Sequence, residues 1–598
     1  MGVWRKVMKK IIVGLIALLM SVAVFAGCGA SGNNKPSGTD TDKNQPSGGG
    51  DEEKEPPEEK DWLEALSAET RSNLSADGYV LNNISDFSQY VGTSAYRTVA
   101  TADELIAALK DAKYDYTTTW DKEENTFKQT LKTEGKVHVI EITADLNLGY
   151  YKLSEEAKKS GIVEDFCAKN ATQLKTFTMS DMFKENGISK IKVERTNNLL
   201  VYSKNGAKLT HAGFSLLSDT NVVFRNLELD EIWQWEDSAS ATAPAVGDCD
   251  AFGWAYFKVS HCGYIWIDHC TFGKSYDGQI DYSNPVSYDE QTAPMRAPYG
   301  YDGKNGLHIS WCKFNAGSDD KDGYLYKMMQ SVEEDYQNGG GNYLYYKALR
   351  DGGISFEDIL YGIAIPQKKG FLCGDSGNNK SEYDYNYYLN VSFSNCIFKN
   401  LEDRIPKLRG GNAVMYNCVV DCLEYIQYRN KLRAKGAAGL VAKVNSGWKC
   451  ALVSQGIVCG NGGSFYAENC AFRGIETLIK HNDKGGTTEQ IKDGEGNVID
   501  TIVRPADGGY KLINCSNKAS ATASERVGST TDENCRLPGS SNASLLNTAN
   551  FKWHTADGEQ PFAISAFELK TLEKTLTAAD YGVGVNTKLQ ERLLKVKY

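Results

Sequence analysis

A short motif recurs along the chain and limits the folds that the chain can adopt. Each copy is a run of strand-forming residues that ends in a polar or aromatic residue, usually Asn, mostly followed by Cys. The position after that residue is held in turn by Leu227, Cys270, Cys312, Cys396, Cys418, Cys470 and Cys515. The spacings of 43, 42, 84, 22, 52 and 45 residues lie near multiples of 22, with insertions. The repeat predicts an all-β parallel solenoid, with a β-sandwich of accidental spacing as the alternative.

Stacking of the coils has consequences for the recurring Asn and Cys. Each coil adds a strand about 4.8 Å from the previous one, so equivalent side chains lie above one another. Asn at the recurring position should hydrogen-bond its copies in neighbouring coils. The fourteen cysteines after Cys28 would suit a disulfide framework in an exported chain, but stacked buried thiols explain six of them equally well. Only Cys396 and Cys418 have the spacing of adjacent coils, so we expect mostly free thiols.

The N-terminus indicates export. Residues 1–27 carry a basic start, an apolar run and small residues, which predicts a signal peptide. The Ala-Gly-Cys that follows the run is similar to a bacterial lipobox, so we expect Cys28 to be lipidated; an ordinary signal peptide with a chance cysteine is the alternative. Residues 28–60 are rich in Gly, Ser, Pro and charge and predict a flexible tether. The expected location is the extracellular face of a bacterial membrane, lipid-anchored or secreted. Residues 61–94 predict short helices, and the solenoid follows at 95–598.

The charge of the chain restricts its partners. The formal net charge is −11, and no basic face dominates, so nucleic acid is not expected as a partner. An anionic substrate would be repelled by the overall field and must be held by local cations or a metal. Such cations are concentrated in EDRIPKLRGG, where Arg404, Lys407 and Arg409 surround Pro406.

Five elements in order resemble one family. They are KVHVIEITADLNLG (136–149), WIDHCTF with YDGQID (266–281), KGFLCGDS (369–376), RIPKLRGG (404–411) and ADYGVG (579–584). Together they resemble the pectate lyases of polysaccharide lyase family 1, over roughly residues 95 to 590. The resemblance implies a right-handed, single-stranded parallel β-helix and calcium-dependent β-elimination of polygalacturonate by a monomer. The products would be 4,5-unsaturated oligogalacturonates.

The resemblance implies the metal ligands. Asp277 and Asp281 match the two acidic positions after WIDH, and their spacing would put both on one face of a strand. Ca²⁺ suits such a site because it prefers oxygen ligands and tolerates irregular geometry. For the third ligand we favour Asp250, with Asp248 as the alternative. The segment between these acids and Trp266 is longer than the family pattern.

The resemblance also implies the roles of the cations. Arg404 matches the catalytic base, Arg409 binds substrate, and Lys407 adds positive potential. Lys369 matches the lysine that grips the substrate carboxylate. Because the insertion 316–366 precedes it, Lys321 is the alternative.

Two further features concern the same region. Ser283 stands where the family often has another lysine. His269, beside Asp268, is interpreted as structural because it holds the recurring position before Cys270. Tyrosines of the insertion 316–366 could stack on sugar rings at the cleft.

Three other functions remain open. A pectin lyase acting on methyl-esterified polymer would keep its activity in a chelator. A hydrolase would need paired carboxylic acids across the bond and would give products without ultraviolet absorption. A non-catalytic surface protein that binds pectin would fit the tether but would not need both Arg404 and Arg409.

Overall fold

The computed structural model describes most of the chain after residue 85. The predicted signal peptide, Cys28 and the tether lie outside the described residues, as does nearly all of 61–85. The described residues are 74, 86–121, 126–166, 181–235, 253–283, 306–315, 320–376, 386–444, 450, 452–480, 482, 486–518, 520–524, 526–527, 551–555, 557–562 and 564–596.

Three long sheets, almost wholly parallel, form the body of the molecule, and in the main coils the chain visits them in a fixed order. Sheet 1 contains Val163–Asp165, Ser189–Glu194, Ala212–Leu217, Phe257–Ser260, Ile280–Ser283, Phe371–Cys373, Lys407–Arg409, Gln455–Gly460 and Thr477–Lys480. Sheet 2 contains Tyr96–Val99, Val139–Ile142, Asn197–Tyr202, Thr220–Arg225, Gly263–Asp268, Leu307–Ser310, Asn390–Ser394, Asn412–Tyr416, Ser464–Glu468 and Gly509–Ile513. Sheet 3 contains Leu146–Asn147, Lys208–Thr210, Glu228–Asp230, Thr271–Phe272, Lys313–Phe314, Ile397–Lys399, Val419–Asp421, Ala471–Arg473, Ser516–Lys518 and Arg526–Val527. This is a right-handed parallel β-helix, and the sandwich alternative is wrong.

The number of coils differs from the expectation based on spacing. Ile265 pairs with Leu307, Leu307 with Val391, and Val391 with Ala413, so each pair lies in adjacent coils. The expectation that only Cys396 and Cys418 are one coil apart is therefore wrong. The strands of a coil are short, and the extra residues leave the solenoid between strands without changing the register.

The predicted amide ladder is present at the corner after sheet 2. Asn417 donates to Asn395 Oδ1 at 3.0 Å, Asn469 to Asn417 Oδ1 at 3.2 Å, and Asn514 to Asn469 Oδ1 at 2.9 Å. Each ladder residue has a positive φ, between 48° and 55°, which Asn adopts more readily than most residues. The ladder therefore joins the equivalent corner residues of successive coils.

Aromatic rings take the place of amides in two earlier coils. The rings of His269 and Trp311 stack with centroids 5.7 Å apart at the same corner. The His269 imidazole also lies 2.8 Å from the Asp268 carboxylate and 3.1 Å from the Tyr581 carbonyl. Both residues of this pair are fully buried beneath the C-terminal segment, which agrees with a structural role for His269.

None of the cysteines in the described part of the chain forms a disulfide. All eleven are buried, and the six of the recurring motif stack in consecutive coils. Burial raises the pKa of the Cys470 thiol, which keeps it uncharged and unreactive. The prediction of mostly free thiols is confirmed for these residues.

Helices lie at the edges of the solenoid. The predicted helix in TADELIAALKDAK forms over Ala102–Asp111, with a capping box between Thr101 and Glu104. The other helices are Ser88–Tyr90, Tyr150–Lys152, Glu155–Lys158, Asp181–Asn186, Tyr324–Gln337, Leu344–Asp351, Phe356–Ile359, the π turn Leu360–Ala364, Leu423–Ala434, Ala437–Val444, Leu569–Thr571, Leu572–Leu576 and Gln590–Leu594. Two antiparallel hairpins project, Asp115–Asp121 with Thr126–Thr133 and Thr487–Lys492 with Val498–Arg504. None of the helices in the described part is long and apolar enough to cross a membrane.

The insertion 316–366 is helical where it is described, from residue 320. Most of its tyrosines are buried in the packing of these helices, Tyr345 and Tyr346 fully. They therefore cannot stack on a substrate, and that expectation is wrong for them. The insertion leaves sheet 3 and returns to sheet 1, as does the excursion that contains Leu423–Ala434. The two excursions pack on each other next to sheet 1.

Candidate active site

A row of charged side chains crosses the outer face of sheet 1. The strand register aligns Lys258, Asp281, Leu372 and Lys407 in successive coils. They point outward because their strand neighbours, such as Ile280, are buried in the core. Adjacent positions are separated by about 4.8 Å, so cation, anion and cation lie within reach of one extended ligand.

Asp277 and Asp281 reach this face by different routes. Asp281 lies in the strand Ile280–Ser283, but Asp277 lies in the bend before that strand. The argument from strand alternation is therefore wrong for Asp277, although the two carboxylates stay close in sequence. A Cβ on Gly278, between them, would come 2.8 Å from Asp281 Oδ1, so the glycine keeps this space open.

Each aspartate faces a lysine. Lys369 donates to Asp277 Oδ1 at 3.1 Å, and Lys258 Nζ lies 4.0 Å from Asp281 Oδ2. Lys369 is nearly buried, whereas Lys321 is exposed in a turn. The structure thus favours Lys369 over Lys321 as the lysine of the site.

The environment of Asp281 combines burial with positive charge. Burial raises the pKa of its carboxyl group. The charges of three cations oppose that shift: Lys258, Arg404 and Arg409. Asp281 Oδ1 is buried and has no hydrogen-bond partner within the part of the chain that the structure describes. A carboxylate oxygen without a hydrogen-bond partner is suited to a further cation or to a ligand hydroxyl.

Arg404 stands before its strand in a left-handed backbone conformation, with φ of 64°. Its amide donates to its neighbour Asp403 Oδ1 at 2.8 Å, and its carbonyl accepts from Phe371 at 2.8 Å. The strand Lys407–Arg409 begins only after Pro406, so the alternation of a strand does not govern Arg404. A non-glycine residue held at positive φ costs energy, and such positions cluster at functional sites.

Lys407 and Arg409 share the outer face because the intervening Leu408 is buried. The predicted cations Arg404, Lys407 and Arg409 therefore border the same surface as Asp281, consistent with the charge effect of the two arginines on its carboxyl. Lys407 lies two coils from Asp281 in the register.

The residues present fit a calcium ion in part. Asp277 and Asp281 supply carboxylate oxygens, and the unpartnered Oδ1 of Asp281 is the kind of ligand that Ca²⁺ prefers. Asp250 and Asp248 lie outside the described residues. Among residues 253–283 and the other described ranges, no group of three acidic, His or Cys side chains is placed to hold a metal ion by itself. Two carboxylates leave coordination positions for water and for substrate oxygens.

Sequence reasoning missed two residues of this region. Lys258 lies one coil from Asp281, and the alternating pattern of FKVS could have placed it on the outer face. Gln367 lies beneath the site and has no sequence signal. Ser283 pairs with Ser260, so neither of these positions supplies the lysine expected near the second acid.

Comparisons with known proteins agree with this geometry. The chain is 29% identical over 386 residues to pectate lyase B of Paenibacillus amylolyticus, covering 64% of this chain and 82% of that protein. It is 24% identical over 213 residues to a pectate trisaccharide-lyase of Thermotoga maritima, covering 36% of this chain and 37% of that protein. A solved pectate lyase from Paenibacillus sp. 0602 matches with a TM-score of 0.63 at 25% identity, covering 88% of this chain and 100% of that chain. No family model matches.

The parallel β-helix, the charged row on sheet 1 and these similarities define a polysaccharide lyase. In this chain the charged row lies on sheet 1. In sequence and in fold the chain is similar to pectate lyases.

Proposed function

We propose that the protein is a calcium-dependent pectate lyase that cleaves polygalacturonate by β-elimination. The observation that carries the proposal is the position of Arg404 and Arg409, whose charges act on the Asp281 carboxyl with its unpartnered Oδ1. A polymer of uronates carries one carboxylate per sugar, and the cations of sheet 1 are suited to bind such carboxylates.

Substrate carboxylates would be held by the cations of the row. Lys369 and Arg409 bind them as charge-assisted donors, and Lys407 adds positive potential. Asp277 and Asp281 would hold Ca²⁺, which when bound neutralises the uronate carboxylate and stabilises the charge that develops on it. In this arrangement the C5–H of the bound sugar would face Arg404.

Arg404 would act as the base. A neutral guanidine nitrogen of Arg404 accepts the C5 proton, and the electron pair of that C–H bond forms the C4–C5 double bond. The bond from C4 to the glycosidic oxygen breaks, and the departing oxygen takes a proton from water. An arginine ordinarily gives up its proton only in strongly alkaline solution, so we expect activity to rise with pH.

The test follows the new double bond by ultraviolet absorbance on polygalacturonate with Ca²⁺. Arg404→Ala should lower kcat by about 10³-fold, the contribution typical of general base catalysis. Arg97→Ala is the control, because Arg97 lies on the first strand of sheet 2, away from sheet 1, and donates to the carbonyl of its neighbour Ser94. Equal activities of the two variants, or a pH optimum near about 5, well below the range in which an arginine loses its proton, would refute the base assignment.

One observation favours a second candidate. The Lys258 ammonium already lies beside Asp281, at a place where a cation could neutralise a substrate without metal. A lyase acting on methyl-esterified pectin would use such an arrangement. Elimination that survives a chelator, with a preference for esterified polymer, would support this function over the first.

The proposed location is the outer face of the membrane, with a lipid on Cys28. Support comes from the apolar run and the Ala-Gly-Cys that follows it. Labelling of cells with a fatty-acid analogue should mark the wild type and not Cys28→Ser. Equal labelling of both would refute the anchor.

A further inference from the structure

A fully buried amide lies beneath the charged row. The Gln367 side chain donates through Nε2 to the Asp277 carbonyl at 2.6 Å and to the Lys369 carbonyl at 2.9 Å. Its Oε1 accepts from the Ser275 amide at 3.0 Å. The two donor protons and one acceptor of this amide thus connect the coil of Asp277 to the coil of Lys369.

The two residues joined in this way are the opposite charges of the site. Lys369 Nζ also bonds to Asp277 Oδ1 at 3.1 Å, so the pair is held at both backbone and side chain. Asp277 lies in a bend and Lys369 precedes its strand, so no sheet ladder fixes either of them directly. The Asp277 amide donates to the Trp254 carbonyl of the preceding coil at 3.0 Å, and the Gln367 side chain ties Asp277 to Lys369.

The backbone of Gln367 reaches the next coil as well. Its amide donates to the Asn400 carbonyl at 2.9 Å, and its carbonyl accepts from Glu402 at 2.9 Å. Glu402 is two residues before Arg404 in the same loop. One residue therefore contacts the three segments that carry Asp277, Lys369 and Arg404.

We propose that Gln367 is a positioning residue that sets the spacing between Asp277 and Lys369 for binding of the uronate carboxylate and its cation. This inference rests on the proposed function, because it assigns the purpose of that spacing. Gln367 is too deep to touch the substrate itself, since its side chain is fully buried.

The chain offers a matched control for a merely structural role. Asn417 is equally buried, donates to Asn395 Oδ1 at 3.0 Å and to the Ser565 carbonyl at 2.8 Å, and accepts from Phe567 at 2.8 Å. It lies at the corner between sheets 2 and 3 and makes none of these bonds to the site. Its loss should reduce stability at least as much as the loss of Gln367.

The experiment compares Gln367→Met and Asn417→Leu with the wild type in the full chain. Met keeps the length of the side chain but removes all three hydrogen bonds. Calcium affinity is measured by calorimetry without substrate, and kcat and KM by elimination, at a temperature where circular dichroism shows all three proteins folded. Acylation of Lys369 by an amine reagent, quantified by mass spectrometry, reports its pairing with Asp277 independently of metal and activity.

Gln367→Met should weaken calcium binding about 10- to 100-fold, as expected when a residue supporting a ligand is lost. It should also lower kcat/KM by about 10²-fold and speed acylation of Lys369. Asn417→Leu should change each of these values less than about twofold while lowering Tm, since a substitution distant from a site adds no coupling to it.

Equal behaviour of the two variants would overturn the inference. A wild type that performs no elimination would refute the proposed function instead. In that case the rate of acylation of Lys369 still decides whether Gln367 sets the spacing between Asp277 and Lys369.

Discussion

The buried ion pair beside the Arg404 loop gives a prediction whose size can be worked out. Arg429, on the helix Leu423–Ala434, donates to Glu402 at 2.5 Å, and both side chains are essentially inaccessible. Arg429 also donates to the carbonyls of Gly362 at 2.5 Å and Val453 at 2.9 Å. The pair thus joins both helical excursions to the loop that carries the proposed base.

Arg429→Met removes the cation and leaves Glu402 charged in the interior. Breaking a buried pair in this way costs about 3–5 kcal/mol, because the remaining charge is not compensated. Replacing both partners, as Glu402→Leu with Arg429→Met, should recover most of this loss, since an apolar pair avoids the desolvation of two charges.

The measurement is denaturant unfolding of the two single variants, the double variant and the wild type. The exposed pair Lys347–Asp351 is the control, and Lys347→Met should cost far less stability than Arg429→Met, because solvent screens an exposed pair. A loss below about 1 kcal/mol for Arg429→Met, or a double variant no more stable than the single ones, would contradict the reasoning.

Three further predictions concern the charged row of sheet 1, the stability of the fold at acid pH and the reactivity of the stacked thiols. Lys258→Asp adds a carboxylate in register beside Asp281, a proposed calcium ligand, so calorimetry should show tighter calcium binding; unchanged affinity would mean that this strand position does not face the proposed ion. Burial would raise the pKa of Asp268, but the charges of His269 and Arg225 outweigh it and hold that pKa below its usual range. The ionised Asp268 carboxylate stabilises the folded chain fully above its unfolded pKa of about 3.9, and this stabilisation is lost as pH falls through the lower folded pKa. The free energy of unfolding should therefore fall more steeply with decreasing pH in the wild type than in Asp268→Asn. The ladder thiols such as Cys470 should react with a thiol reagent only after unfolding, and rapid labelling of the folded chain would refute their burial.

The solenoid and its ladder could be predicted because they depend on local chemistry that repeats. Asn at a left-handed corner and a small apolar thiol beside it recur in each coil, so the pattern is visible in the sequence. The number of coils could not be predicted, because the length of an excursion is independent of the register. The interval from Cys312 to Cys396 spans 84 residues and is still one coil.

The cations of the candidate site were predictable from RIPKLRGG, but their geometry was not. Asp277 and Arg404 both stand outside strands, where the two-residue period has no meaning. The tyrosines of the insertion looked like a sugar platform by composition. They instead form the core of a helical unit, since a helix of this size needs large apolar surfaces to pack.

Long excursions place a specific demand on the residues at which the chain returns to the solenoid. An insertion can change in length without cost to the sheets, but its last residues must enter the next strand in register. In this chain the first long excursion returns to sheet 1 at Gln367, which is buried and bonded across coils. In the following coil a short loop carries Glu402, which the second excursion holds through Arg429. The proposed site residues Lys369 and Arg404 each lie two positions after one of these anchors, so helical excursions on this side can vary only if those amide and ion-pair contacts are kept.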